Sequence, residues 1–172
     1  PALDSALWVL ALCETVMGRL DAADHLLAEV HELREAVGLS PEQARIFVNV
    51  ELLAWQGPDS PALRDRIDQA QGAADRLGLG GAVSLARTAR MLLDLAPGDH
   101  ATAFDAASTI AREGFLQVGL RVLPDLVESA RRSGHDDAAH AALARLADVT
   151  SASGAPWGQG VLARSRALLA QD

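Results

Sequence analysis

Apolar positions recur at steps of three and four along most of this chain, and glycines interrupt them at regular intervals. In "GRLDAADHLLAEVHELREAVG" (18–38), Ala22, Ala23, Leu26, Leu27, Val30 and Leu33 fall on one face of a helix. Shifted by 116 positions, this segment falls on "GHDDAAHAALARLADVTSASG" (134–154). Gly18 then meets Gly134, Asp21 meets Asp137, and Ala22 and Ala23 meet Ala138 and Ala139. Leu26 and Leu27 meet Ala142 and Leu143, Val30 meets Leu146, Leu33 meets Val149, and Gly38 meets Gly154. Asp21 and Asp137 stand near the expected helix starts, where a carboxylate suits both capping and the helix dipole.

The glycines carry the same rhythm. Gly18, Gly57, Gly98 and Gly134 are spaced by 39, 41 and 36 residues, and Gly38, Gly78, Gly114 and Gly154 by 40, 36 and 40. Glycine adopts positive φ cheaply and is favoured just past a helix end. Two series with a shared period therefore predict helix, turn, helix, turn, within the range of helical-hairpin solenoids. The predicted helices lie near 2–17, 20–37, 41–56, 60–77, 81–95, 99–113, 117–132, 135–152 and 156–170. Ser40-Pro41 and Ser60-Pro61 read as helix starts, and Pro124 is expected to kink the seventh helix or split it at Leu123. The fold expected is all-α: TPR-like antiparallel hairpins stacked as a right-handed superhelix. The single repeat domain has units near 1–38, 39–78, 79–114 and 115–154 and a partial unit at 155–172. Val161, Leu162, Leu168 and Leu169 would await a partner, so the chain is expected to be part of a longer protein or to self-associate through its C-terminal helix.

Composition sharpens this picture. Hydrophobic residues make up 49% of the chain and aromatics 3%, with no Tyr, which favours Ala- and Leu-rich helices over strands. A formal charge of −8 disfavours direct contact with nucleic acid. All fifteen basic residues are Arg. With no Lys, these residues can form neither a P-loop nor a Schiff base. Cys13 is the only cysteine; it excludes internal disulfides and reads as a buried small hydrophobe. No uncharged apolar run is long enough to span a membrane, and a reducing cytoplasm is the expected setting.

Candidate chemistry is sparse. "HDDAAH" (135–140) offers His135, Asp136, Asp137 and His140, but only Asp137 and His140 have i, i+3 spacing, and acids are expected at a helix start. His25 and His31 face different ways, and His100 reads as a loop residue. "GLGGAV" (78–83) is not G-x-G-x-x-G and reads as a helix end followed by a helix start. Glu32 and Glu35 read as a solvated face. Arg87 with Arg90, Arg131 with Arg132, and more loosely Arg164 with Arg166 could clamp an anionic partner. Asp68 four residues after Arg64 and Asp94 four after Arg90 favour an ordinary salt-bridged surface. Trp8, Trp55 and Trp157 read as packing residues that could also anchor a ligand. No catalytic, cofactor-binding or metal-binding residue is assigned, and no cofactor is expected.

The segment "LVESARRSGHDDAAHAALARLADVTSASGAPWGQGVLARSRALLA" (126–170) carries a family resemblance. It resembles the helical-repeat region of the large ATP-binding LuxR-type transcriptional regulators of actinobacteria. The residues that carry it are Ala155, Pro156 and Trp157 at the start of a helix, followed by Ala163, Arg164, Ala167 and Leu168. The resemblance covers about residues 100–170, and the earlier part shows generic TPR-like patterning. Those regulators have an N-terminal ATPase, a middle repeat region and a C-terminal helix-turn-helix. The resemblance therefore implies a non-catalytic sensor or scaffold domain that binds a small-molecule effector or a protein partner. DNA would be contacted through a helix-turn-helix outside these residues. The alternative is a free-standing TPR-like protein–protein adaptor; an enzyme fragment ranks below both.

Overall fold

A computed structural model describes residues 2–40, 49–113 and 115–170. Among the described residues the chain forms ten helices and no strand. They are α1 (Ala2–Val16), α2 (Leu20–Ala36), α3 (Val50–Gln56), α4 (Pro61–Arg76), α5 (Gly80–Leu95), α6 (His100–Arg112), α7 (Leu116–Arg121), α8 (Leu123–Arg132), α9 (Asp136–Ser153) and α10 (Pro156–Leu169). No helix of the described residues is long and apolar enough to cross a membrane. The chain divides into two compact units, Pro1–Arg90 and Met91–Asp172.

In the first unit, the turn at Gly18 folds α2 back onto α1, and α3 packs on both. Ala11, Ala23, Leu27 and Leu52 form the core, with Trp8, Leu20 and Leu26 against them. Asn49 begins α3. Its side-chain oxygen accepts the Leu52 backbone N–H at 3.2 Å, and its amide donates to Thr15 Oγ1 at 2.8 Å. Thr15 in turn donates to the Ala11 carbonyl at 2.8 Å. Thr15 and Asn49 are both buried, and this chain of bonds satisfies them. A continuous helix over 41–56 therefore does not form: Asn49 has ψ 86 and caps a new helix. Pro41, the other end of that expected helix, lies outside the described residues.

In the second unit, α8 packs on α6 and α9, and α10 packs on α9 and α8. Leu123, Leu146 and Leu162 centre the core, flanked by Leu120, Leu143, Ala147 and Val161. The expected break near Pro124 occurs: α7 ends at Arg121, and Pro124 sits in the first turn of α8, where its missing N–H costs no helical bond. The C-terminal helix differs from expectation. Leu162 is buried and Val161 packs beside it, while Leu168 and Leu169 are half-buried, so this apolar face is largely covered. At Gly158 an added Cβ would lie 3.4 Å from Thr150, which shows how closely α10 approaches α9.

Helix boundaries coincide under the shift of 116. α1 ends at Val16 and α8 at Arg132; α2 starts at Leu20 and α9 at Asp136. Gly18 and Gly134 both have positive φ, as do Gly38 and Gly154. Ala23 and Ala139 are both fully buried, and Val30 and Leu146 are buried with them. Asp21 and Asp137 stand in the first turns and act on the helix dipole, whereas the cap positions are Arg19 and His135. Gly57 departs from its series, with φ −109 and ψ 150, and Gly114 lies outside the described residues.

Two substitutions separate backbone geometry from packing. Gly134 has φ +81 with open space around an added Cβ. Gly134→Ala is expected to lower unfolding free energy by about 1 kcal/mol through left-handed strain alone. Gly160 lies inside α10, also with open space. Gly160→Ala is expected to raise it by about 0.5–1 kcal/mol. Urea unfolding of the two variants checks both signs.

Candidate functional site

Three of the five histidines are tied to their own helices. Nδ1 of His25, His31 and His140 lies 2.7, 2.7 and 2.8 Å from the carbonyl oxygen four residues earlier, which accepts its proton. His135 stacks on Phe104 with ring centroids 4.1 Å apart and contacts Ser133 Oγ at 2.9 Å. Asp136 pairs with Arg131 at 3.0 Å. The 135–140 stretch is thus the start of α9, and no group of three or more His, Cys, Asp or Glu among the described residues could hold a metal ion. His100 is the first residue of α6 rather than a loop residue. Gly78 has φ +68 and its N–H meets the Asp75 carbonyl, so "GLGGAV" is a helix end followed by the start of α5.

Several arginines are engaged by carboxylates. Arg64 makes two bonds of 2.7 Å to Asp59, and Arg90 reaches both oxygens of Asp68 on α4 at 3.0 Å. With Ser60, Pro61 and Asp65 these residues line an open cleft of about 430 Å³. The Arg64 hydrogen bonds hold the Asp59 carboxyl below its ordinary pKa, with a smaller pull from Arg90. Three aspartates and two paired arginines make this a cross-linked surface, and an anion entering it would have to displace a bidentate carboxylate. Arg132 and Arg164 share Glu128. These arginines are salt-bridged, but through other partners than the aspartates four residues on: Arg64 pairs with Asp59, and Arg90 with Asp68 on the neighbouring helix.

The tryptophans divide. Trp8 packs on the α1–α2 core. Trp55 and Trp157 are 55% and 51% exposed, contrary to a packing role. Cys13 is exposed rather than buried.

The surface with the clearest capacity to bind lies on α1 and the turn after it. Leu3, Ala6, Leu10, Cys13 and Met17 are exposed at spacings of three and four, with Val9 beside Leu10. No charge interrupts this stripe. Arg34 donates to Asp4 at 3.1 Å from α2, and Arg19 engages Glu14. α1 carries apolar residues on its exposed side as well as on the side packed against α2, which is the pattern of a helix covered on two sides. Leu3, Val9, Leu10 and Met17 are each about half exposed, and large apolar side chains exposed side by side mark an interaction site. Its chemistry suits the apolar face of another helix. Sequence reasoning placed the open face on the C-terminal helix; the uncharged 3–4 spacing of "LDSALWVLALCETVM" was the signal for α1.

Compared with models of known protein families, with curated proteins and with solved structures, the chain matches none.

Hydrogen bonds from Arg34 and Arg19 hold the Asp4 and Glu14 carboxyls below their ordinary pKa values. A depressed carboxylate stabilises the fold above its unfolded pKa, and that contribution is lost as pH falls through the folded value. Unfolding midpoints of the wild type are therefore expected to fall between about pH 5 and pH 2. Asp4→Asn is expected to give a shallower fall over that window. Denaturant titrations at a series of pH values check it, and parallel profiles would refute the role of Asp4.

Proposed function

We propose that this chain is the non-catalytic sensor or scaffold repeat region of a LuxR-type transcriptional regulator, built as a TPR-like right-handed superhelix. The observation that carries the reading is the 126–170 segment, whose Ala155, Pro156 and Trp157 open α10 with Pro156 in its first turn. Further along that helix Arg164 reaches Glu128 on α8 and ties the motif to the preceding hairpin. The coincidence of helix boundaries at a shift of 116 supports the repeat architecture. In this reading the module binds a small-molecule effector or a protein in the cytoplasm. Occupancy then shifts the curvature of the superhelix, and the coupling free energy reaches an adjoining ATPase or oligomer interface. DNA is contacted by a separate helix-turn-helix.

The second reading, a free-standing TPR-like adaptor, is favoured by the uncharged stripe on α1, which suits a protein partner without requiring a regulator around it. The coding sequence beyond both ends separates the two. A P-loop upstream and a helix-turn-helix of about 60 residues downstream are expected of the regulator. A stop codon directly after Asp172, with no ATPase before Pro1, would overturn that reading and leave the adaptor.

A further inference from the structure

The shift of 116 matches the exposed stripe of α1 to a covered face elsewhere in the chain. Leu3, Ala6, Leu10, Cys13 and Met17 fall on Gly119, Val122, Leu126, Ser129 and Ser133 of α7, α8 and the turn after them. The first four of these are buried, with Ser129 at 0% exposure, and Ser133 is half-buried. α6 packs on both α7 and α8. It comes close at Gly119, where an added Cβ would lie 3.4 Å from the Ile110 carbonyl oxygen. The other matched positions continue the same spacing of three and four. The buried positions of α6 are Ala103, Ala107, Ile110 and Ala111, an uncharged, alanine-rich face on a helix that follows α5 across the turn at Gly98.

We propose that the α1 stripe is a docking site for a helical hairpin of this repeat type, whose second helix presents an alanine-rich face as α6 does. The inference rests on the repeat architecture proposed above. Under the shift of 116 it corresponds to an interface already formed in the chain, that of α6 with α7 and α8. Area and charge set this occupant above a second copy of the chain. Five side chains on one helix and the turn after it, on the order of a few hundred Å², fall short of the roughly 800 Å² per partner of a standard stable interface. A second copy would also bring another net charge of −8 to a surface with no countercharge. A hairpin linked in sequence needs less area, because its effective concentration is in the millimolar range. One difference follows from the residues: Leu3 replaces Gly119, so the docked helix stands farther from the start of α1 than α6 stands from α7.

The test repeats residues 79–116 ahead of Pro1, which sets α5 and α6 before α1 in the register they hold before α7. Cys13 is the reporter, since its matched position is the fully buried Ser129. Under reducing storage, followed by reaction with a thiol-specific chromogenic disulfide, Cys13 of the original chain is expected to react freely. In the extended chain its rate is expected to fall about tenfold or more, because reaction then waits on local opening. Leu10→Glu adds a second readout: it should leave the melting temperature of the original chain nearly unchanged and lower that of the extended chain by several degrees. An unchanged Cys13 rate in the extended chain would overturn the proposal, as would an equal effect of Leu10→Glu on both chains. Protection of Cys13 in the original chain that grows with concentration, together with a dimer mass, would assign the stripe to a second copy instead. The regulator reading fails differently, on the flanking coding sequence, and leaves the thiol result interpretable.

Discussion

Close approach between helices, made possible by small side chains, is the contact on which this structure depends. Ala11, Ala23, Ala89, Ala103, Ala107, Ala130 and Ala139 are almost wholly buried, and Ser129 joins them. With three Phe and no Tyr, the chain has little aromatic volume to fill a wide interior. Helices must instead sit near one another, and alanine and glycine at the contacts let them. Buried hydroxyls fit the same scheme. Thr15, Thr88 and Ser129 donate to the carbonyl four residues earlier in their own helix, so they occupy contact positions without an unsatisfied proton. Alanine faces are narrow, so a helix in such an array buries its apolar surface only when neighbours cover more than one side.

That constraint explains what could be read from the chain and what could not. The turns at Gly18, Gly38, Gly78, Gly98, Gly134 and Gly154 were legible because positive φ is a local demand that glycine meets. Ser60-Pro61 and the break at Pro124 were legible for equally local reasons. The start of α3 at Asn49 was not, because the cap is completed by Thr15, 34 residues away. Sequence spacing suggested Arg90 with Asp94, while the structure joins Arg90 to Asp68, 22 residues earlier and on another helix. Periodicity shows that a face is apolar; it does not show whether a neighbour covers it. Leu162 on α10 and Leu10 on α1 look alike in sequence, yet one is buried and the other exposed. Trp157 fails in the same way: its size argues for packing, and its place at the first turn of α10 leaves it half in solvent.

The functional account follows from surfaces rather than from reactive groups. His25, His31 and His140 serve their own backbones, His135 stacks, and the best-defined arginines are matched by carboxylates. What stands out is an uncharged apolar stripe flanked by carboxylates already neutralised from within. Such a surface selects partners by shape and by the absence of charge, so specificity rests on close packing. The same small-residue rule that builds the core thus sets the kind of helix able to dock.

The central claim is that matched alanines hold the hairpins at close range, and overpacking them tests it most directly. Ala23 and Ala139 occupy equivalent, fully buried positions, whereas Ala141 on α9 is exposed. Equilibrium unfolding of Ala23→Leu, Ala139→Leu and Ala141→Leu would be compared under one set of conditions. The account predicts losses of about 1–3 kcal/mol at both buried positions and a change within about 0.5 kcal/mol at Ala141. Tolerance of leucine at Ala23 and Ala139 equal to that at Ala141 would contradict it.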